Sequence, residues 1–180
     1  YIEMAEKHAP DLKKYISSTR SPMYYTAQIA REQYPDAKLV FVGPCIAKRK
    51  EARRDDLVNY VMTYEELHSV LDGMGIDIAE QAAFDIPVSS SKFAHGFAQI
   101  NGVTQAVLNE INGDFTFSAT LVANLTKKNV ALLRAYGKSG KAPVQFIEVM
   151  ACEGGCISGP ANHEIYDKAR QTYNKELQKR

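Results

Sequence analysis

Two cysteines near the end of the chain stand in a setting suited to binding a metal. Residues 144–149 form a mostly apolar run that predicts a buried strand, and Cys152 and Cys156 follow it, separated by Glu-Gly-Gly. The two glycines allow the backbone to turn sharply and to approach a bulky group closely. Cys45 follows a second apolar run in the same way, after a Gly-Pro pair. Thiolates placed after strand ends are suited to ligating a soft metal ion or an iron–sulfur cluster.

Three interpretations of these cysteines remain open. They could be buried as small apolar side chains, which is common for cysteine. Cys152 and Cys156 could form a disulfide, although three cysteines in 180 residues favour an intracellular metal or redox role over a secreted disulfide scaffold. The third interpretation is a metal site. A cubane iron–sulfur cluster takes four thiolates, so it would need one ligand from outside this chain, whereas zinc could take a histidine as its fourth ligand. No histidine has zinc-finger spacing to a cysteine; the histidines are His8, His68, His95 and His163.

The composition is ordinary for a globular protein and argues against several functions. Hydrophobic residues make up 45% of the 180 residues and charged residues 24%, with a formal net charge of +1. This charge gives no sign of a nucleic-acid surface, because the basic residues 48–50 are followed at once by Glu51. The sequence contains no signal peptide and no apolar run near the roughly 20 residues of a membrane span, so a cytoplasmic location is expected. Because the chain opens on Tyr1, it is expected to be a piece of a longer protein.

The elements that position the cysteines alternate between strands and helices. This alternation predicts an α/β fold with parallel strands and with the motif cysteines at strand C-terminal ends. Strands are predicted over 38–43, over 144–149 and along the alternating residues Phe115, Phe117, Ala119 and Leu121. Helix starts are predicted at Ser21-Pro22, Thr63, Asn101-Gly102 and Thr126. The remaining predictions are a helix over 1–15 broken near Pro10, a long loop over 89–96, a helix end at Gly137, and a closing helix entered at 158–160 and covering 161–180.

Two long motifs resemble signatures of the FeFe hydrogenases. Residues 43–51, Gly-Pro-Cys-Ile-Ala-Lys-Arg-Lys-Glu, resemble the family's Pro-Cys-x-x-Lys-x-x-Glu signature. Residues 148–156, Glu-Val-Met-Ala-Cys-Glu-Gly-Gly-Cys, resemble its Glu-x-Met-Ala-Cys-x-Gly-Gly-Cys signature. The motifs stand in the family's order, and the resemblance covers nearly the whole chain. Residues 1–180 are therefore expected to be a fragment of an H-cluster domain, organised as one core or as two small lobes that meet at the cysteine site.

The resemblance implies the H-cluster as cofactor, a four-iron, four-sulfur cubane joined to a two-iron subcluster with carbon monoxide and cyanide ligands. Cys45 and Cys152 would ligate the cubane, and Cys156 would bridge it to the subcluster. Lys48 would donate a hydrogen bond to a cyanide, and Met150 would line the subcluster pocket. Three further residues would have supporting or proton-relay roles: Glu51 and Glu148 beside the motifs, and Ser17 in the relay.

Departures from the family's pattern carry expectations of their own. The family's first signature, Thr-Ser-Cys-Cys-Pro-x-Trp, with its cubane ligand and its proton-delivering cysteine, is absent from the chain. The segment is therefore expected to hold no intact H-cluster and to be inactive alone. Gly43 stands where catalytic members commonly have methionine, and Ser158-Gly159-Pro160 replaces the usual Gly-Gly-Gly-Gln. Both changes resemble the sensory branch, which implies hydrogen sensing or slow reversible oxidation of dihydrogen.

Two alternatives to a sensor stay open, a fully catalytic hydrogenase domain and a relative that binds only a cubane. The partners that the resemblance implies are a ferredoxin-like electron carrier or fused iron–sulfur or signalling domains, together with cluster-maturation proteins.

Overall fold

The structure is a computed structural model that describes residues 1–84, 90–111 and 117–179. The described residues form α-helices and short β-strands in alternation, which confirms the predicted α/β class. In chain order the elements are α1 (Ile2–His8), α2 (Pro22–Gln33), β1 (Val40–Val42), α3 (Lys48–Asp55), β2 (Tyr60–Met62), α4 (Tyr64–Gly73), α5 (Lys92–Gly96), α6 (Gly102–Glu110), β3 (Ala119–Ala123), α7 (Lys127–Ser139), β4 (Phe146–Met150) and α8 (Tyr166–Gln178). Short 3₁₀ helices cover Pro10–Tyr15, Ile78–Glu80 and Cys156–Ser158.

The chain divides into two compact units. The first unit comprises Tyr1–Ser17, Ser90–Ser158 and Tyr166–Arg180. The second unit comprises Ser18–Ser89 and Gly159–Ile165. Cys152 and Cys156 belong to the first unit and Cys45 to the second.

The first unit is built on the parallel pair β3–β4, in which Ala119 lies opposite Phe146 and Ala123 opposite Met150. A parallel pair needs a crossover connection, and α7 provides it. The buried core is made of side chains from α1, the first 3₁₀ helix, β3 and α7: Ala5, Ala9, Leu12, Val122 and Leu133. Ile147 and Val149 of β4 pack against this core. The strand that leads to Cys152 is therefore fixed on both sides, by its partner strand and by the core.

The second unit contains the other parallel pair, β1–β2, with Val40 opposite Tyr60 and Val42 opposite Met62. Helix α3 is the crossover between the two strands, and its first residue follows Cys45 by three positions. The parallel direction predicted for the strands is confirmed in both pairs. Each motif cysteine follows the C-terminal end of its strand, since β1 ends at Val42 and β4 at Met150.

Helix starts lie where side-chain capping predicted them. The Ser21 hydroxyl accepts a hydrogen bond from the Tyr24 backbone amide at 3.4 Å, and Thr126 accepts one from Asn129 at 3.2 Å. Thr63 and Glu66 form a complete capping box, with bonds of 3.2 Å and 2.8 Å. The Arg49 guanidinium and the Thr63 backbone amide also bond this glutamate and hold the pKa of Glu66 below its usual value, chiefly through the amide. The predicted break near Pro10 is confirmed, because α1 ends at His8 and a 3₁₀ helix follows.

Four predicted boundaries are wrong. Residues 92–96 form α5, capped by Ser91, where a loop was expected. Helix α7 continues past Gly137 to Ser139 and ends at Gly140, whose φ of +66° is the left-handed conformation that glycine tolerates. The closing helix begins at Tyr166 instead of 161. Strand β3 begins at Ala119, and Phe117 lies before it, edge-on to the ring of Phe146 at 5.4 Å. Phe115, and Ser89 of the expected loop, lie outside the described residues.

No helix within the described ranges has both the length and the apolar character needed to cross a membrane.

Candidate metal centre

The predicted ligands Cys152 and Cys156 lie in the first unit, in the loop that follows β4. The Ala151 carbonyl accepts a hydrogen bond from the Leu125 amide at 3.3 Å, and the Cys152 carbonyl accepts one from the Gly155 amide at 3.2 Å. The second bond closes a tight turn between the two cysteines. Cys156 then begins a 3₁₀ helix. Cys152 is half-buried and Cys156 is exposed, so both thiols lie near the protein surface.

The two glycines of this loop are buried against other parts of the first unit. Gly155 has a φ of +79°, and a Cβ there would lie 2.7 Å from the Ala98 carbonyl oxygen. It pairs with Gln99 in a β-bridge, and the Ala98 carbonyl accepts a bond from the Ile157 amide at 3.3 Å. A Cβ on Gly154 would lie 2.1 Å from the Tyr166 ring. The close approach expected of these glycines is therefore made to the protein itself, within the described residues.

A buried carboxylate on β4 ties the strand to a helix. Glu148 is 4% exposed, and its Oε2 accepts bonds from the Thr104 amide at 2.8 Å and the Thr104 hydroxyl at 2.7 Å. Thr104 is the third residue of α6, and Asn101 before that helix makes no side-chain cap and has a φ of +65°. Glu148 therefore supplies the N-terminal cap that the local sequence lacks. Its Oε1 is buried without a hydrogen-bond partner among the described residues.

The predicted ligand Cys45 lies in the second unit, in the turn between β1 and α3. The Gly43 amide donates to the Met62 carbonyl at 3.1 Å, which fixes the residue before the Pro-Cys pair to the neighbouring strand. Cys45 is half-buried, and its carbonyl accepts a bond from the Lys48 amide at 3.1 Å as α3 begins. The cysteine is therefore held between a strand end and a helix start.

Lys48 and Glu51 form one charged network with a residue of α2. The Lys48 ammonium donates to Glu51 Oε2 at 2.5 Å, and the Ser21 hydroxyl donates to Glu51 Oε1. Both charged side chains are largely shielded from solvent, with exposures of 21% for Lys48 and 17% for Glu51. The network joins the start of α2 to α3 and restrains the ammonium. Ser21 was predicted as a helix cap, and its bond to Glu51 could not be inferred from local sequence.

The remaining predicted site residues are Met150 and Ser17, both in the first unit. Met150 is the last residue of β4 and is half-buried, and Ser17 is exposed just after the first 3₁₀ helix. Taken separately, the described parts of each unit contain no group of three or more His, Cys, Asp or Glu side chains arranged to hold a metal ion. All three cysteines are among the described residues, and none forms a disulfide. The ligand set therefore remains a prediction that draws on both units.

The donor chemistry of the three cysteines suits an iron–sulfur cluster. Their thiols are outside disulfides and are half-buried or exposed, and each follows a strand whose backbone is fixed by hydrogen bonds. Iron–sulfur clusters are ligated by cysteine thiolates, and a cubane takes four. The residues present fit three of those positions.

Asp55, at the end of α3, is expected to make the stability of the fold depend on pH. The pKa of Asp55 lies below its ordinary value, mainly because the Arg54 guanidinium donates to it at 2.8 Å, with a further contribution from Arg20 at 3.4 Å. A lowered pKa in the folded state means that the ionised carboxylate stabilises the fold above the ordinary pKa of 3.8. That stabilisation is lost as the pH falls through the folded-state pKa.

We expect Asp55→Asn to lower the urea midpoint at pH 7, and the difference from the parent to shrink below about pH 4. A constant difference down to pH 3 would contradict the ion pairing.

Comparison with known proteins supports the motifs. A family model described as "Iron only hydrogenase large subunit, C-terminal domain" matches residues 1–160. Iron hydrogenase 1 of Clostridium pasteurianum is 26% identical, covering 93% of this chain and 37% of that protein. The cytosolic Fe-S cluster assembly factor NAR1 of Eremothecium gossypii is 25% identical, covering 88% of this chain and 49% of that protein. A variant of the apo [FeFe]-hydrogenase HydA1 of Chlamydomonas reinhardtii shares the fold, with a TM-score of 0.67, 22% identity, and coverage of 98% of this chain and 63% of that one.

The chain spans 35% to 57% of the length of the curated relatives compared. The family match covers both cysteine motifs and ends at residue 160, before α8 begins. The resemblance to the FeFe hydrogenases predicted from the two motifs is thereby confirmed. This chain belongs to the iron-only hydrogenase large-subunit family, to the part that forms the C-terminal domain.

Proposed function

We propose that this chain is the iron–sulfur-cluster-binding portion of an FeFe hydrogenase-like protein that senses hydrogen or slowly and reversibly oxidises dihydrogen. The observation that carries the proposal is the loop after β4, in which Cys152 and Cys156 flank two buried glycines inside the family-matched part of the chain. In the proposal Cys45 and Cys152 ligate the cubane and Cys156 also holds the two-iron subcluster. When bound, this cofactor supplies the redox chemistry of dihydrogen, and the protein supplies ligation and orientation.

The network around Lys48 supports its proposed role. A lysine ammonium has three donors, and the bond to Glu51 uses one of them. The others can serve an anionic diatomic ligand while Glu51 holds the ammonium in place. Glu51 is accordingly proposed as a positioning residue for Lys48. Met150 and Ser17 keep their proposed roles in the subcluster pocket and the proton relay, and a cytoplasmic location belongs to the same proposal.

The surroundings of Gly43 support a sensory rather than a fast catalytic role. Gly43 is buried, and a Cβ on it would lie 3.0 Å from Phe41 Cε1. A methionine at this position, as is common in catalytic members, would therefore require the Phe41 ring to move. Altering one side chain beside a cluster changes its solvent access and hydrogen bonding, which are the properties that tune its reactivity.

A second candidate function is the binding of a cubane alone. It is favoured by the likeness to proteins named as cytosolic Fe-S cluster assembly factors, among them NAR1 of Eremothecium gossypii. Infrared spectroscopy after anaerobic maturation, on the protein as its full reading frame encodes it, separates the two. Bands of iron-bound carbon monoxide and cyanide are expected for the H-cluster, and their absence with a cubane present would favour the second candidate. Fast hydrogen evolution by that protein would overturn the sensory assignment in favour of a catalytic hydrogenase.

The proposal is tested on these 180 residues by anaerobic reconstitution with ferrous iron and sulfide. A cubane needs four thiolates and this chain offers three, so we expect little retained cluster unless a small thiol is added as the fourth ligand. Iron and acid-labile sulfide per chain, and the electron paramagnetic resonance spectrum after reduction, should report a cubane only with the added thiol. No hydrogen evolution is expected in either case. A rhombic H-cluster signal from this segment would contradict the expectation that it holds no intact H-cluster. A complete lack of retained iron under every condition would contradict cluster binding.

A further inference from the structure

Helix α8 begins directly against the cysteine loop. The ring of its first residue, Tyr166, covers Gly154 so closely that a Cβ on the glycine would lie 2.1, 2.4 and 2.7 Å from three of the ring carbons. Both residues belong to the first unit. Gly154 is buried, and Tyr166 is half-buried. The absence of a side chain at residue 154 is therefore what allows the ring to sit on the backbone between the two cysteines.

Further along, α8 is fixed to the segment that holds the other side of this loop. The Gln99 side-chain amide donates to Asn174 Oδ1 at 2.6 Å, and the Tyr173 hydroxyl donates to the His95 carbonyl. The Arg170 guanidinium lies 5.7 Å from the centre of the Tyr166 ring, at cation–π distance. Residues 95–99 thus contact both α8 and, through the bridge to Gly155, the cysteine loop. These contacts hold α8, which begins at Tyr166, against the segment that pairs with the loop.

Such a restraint matters because the loop is intrinsically flexible. Two adjacent glycines have more backbone conformations to lose on ordering than any other pair of residues. Cluster ligands must be held in one geometry, and groups outside the ligand set commonly do this. The bridge at Gly155 restrains one glycine and the Tyr166 ring restrains the other.

We infer that Tyr166 is a positioning residue for the metal centre, whose ring on Gly154 keeps the loop carrying Cys152 and Cys156 in its ligand-presenting conformation. The inference rests on the proposed function. It also assigns a task to a helix that begins beyond residue 160, where the family match ends.

The first test measures thiol reactivity in the metal-free chain, with labelled cysteines located by mass spectrometry. Cys152 is half-buried, so its labelling rate reports opening of the loop. We expect Tyr166→Ala to raise that rate about tenfold, the change that a loss of about 1.4 kcal/mol in opening free energy produces. Tyr166→Phe keeps the ring and should match the parent. Cys45, in the second unit, is the internal reference. An unchanged Cys152 rate, or an equal rise at Cys45, would overturn the inference.

A second set of variants tests the contact itself. Gly154→Ala places a methyl group into the ring and should also raise the Cys152 labelling rate. In a Tyr166→Ala background the three ring atoms nearest to that methyl group are gone, so Gly154→Ala should add little or partly restore the parent rate. If the rate increase in the double variant equals the product of the increases in the two single variants, the two side chains act independently. That result would overturn the inference. A rise at Cys45 identifies a variant that is unfolded as a whole, so each Cys152 rate is compared with the Cys45 rate of the same variant.

Reconstitution with iron, sulfide and a small thiol links the restraint to the cluster. Tyr166→Ala should retain severalfold less iron than the parent and Tyr166→Phe the same amount. If the parent retains iron and Tyr166→Ala retains as much, the inference fails while the proposed function stands. If the parent retains none, the proposed function fails, and the labelling results then describe only the loop.

Discussion

Serine in place of any one of Cys45, Cys152 or Cys156 is expected to abolish cluster retention in the thiol-supplemented reconstitution. The chain supplies three of the four thiolates that a cubane takes, and losing one leaves two. A hydroxyl is a much poorer ligand for iron than a thiolate, because soft sulfur ligands are what these clusters select. Iron and labile sulfide per chain should both fall to background in each variant.

The same variants separate ligation from folding. The three cysteines are half-buried or exposed, so their replacement should change the free energy of unfolding, measured by urea denaturation, by roughly 0.5 kcal/mol or less. Ser139→Ala, at an exposed position late in α7, serves as the control and should retain iron like the parent. If Cys45→Ser alone kept its iron, the centre would consist of the β4 loop only. If all three variants kept it, the thiolate site would be refuted.

Gly102→Ala is expected to destabilise the first unit by roughly 3 kcal/mol. A Cβ at this position would lie 2.0 Å from the Gly96 carbonyl oxygen and 2.8 Å from its carbon. These are backbone atoms at the end of α5, so they cannot move aside as the tip of a long side chain would. The start of α6 would have to shift, and with it the Thr104 groups that bond Glu148. Urea unfolding followed by circular dichroism measures the loss.

Gly96 provides the matched control on the other side of the same turn. A Cβ on Gly96 would have no atom within 4 Å, and its φ is outside the left-handed region. Gly96→Ala should therefore be neutral or should stabilise the unit by about 0.4–1 kcal/mol, through the reduced freedom of the unfolded chain. Equal destabilisation by the two variants would mean that the turn tolerates neither side chain and that the backbone contact is not the cause.

Much of this fold was predictable because its signals are local. Ser21, Thr63 and Thr126 each place an oxygen where the first turn of a helix needs an acceptor, and each begins a helix as predicted. The parallel strands followed from apolar runs alternating with helices. Both cysteine motifs lie at strand ends for the same reason.

Two of the four wrong boundaries lie where residues distant in sequence make contact. Gly137 resembles a helix end, yet it lies inside α7 because Leu12 packs there, with its backbone nitrogen 3.0 Å from where a Cβ would be. The closing helix begins at Tyr166, and before it the Ala161 amide bonds the Pro44 carbonyl at 3.1 Å, a contact that the local sequence does not reveal. Nothing in the local sequence distinguishes these glycine and proline positions from ordinary helix ends and starts.

In the candidate site, too, the residues of local motifs were predicted and their partners distant in sequence were missed. The cysteines, Lys48 and Glu51 could be found from the sequence because they form motifs of fixed spacing. Thr104 was missed as the partner of Glu148, from which it is separated by 44 residues. Tyr166 was missed because a tyrosine that starts a polar helix gives no sign of the glycine beneath it.

The pairing of Glu148 with α6 also limits how β4 can be aligned. Side chains on one face of a strand repeat every two residues, so a two-residue slip of β4 would bring Phe146 or Met150 to the place of the carboxylate. The start of α6 would then lose its acceptor, and a charge would be carried to a position without donors. An apolar pair could be just as stable here but would tolerate such slippage. The Glu148 carboxylate therefore fixes the alignment of β4 relative to α6. It also keeps Cys152 at a constant distance along the chain from that fixed point.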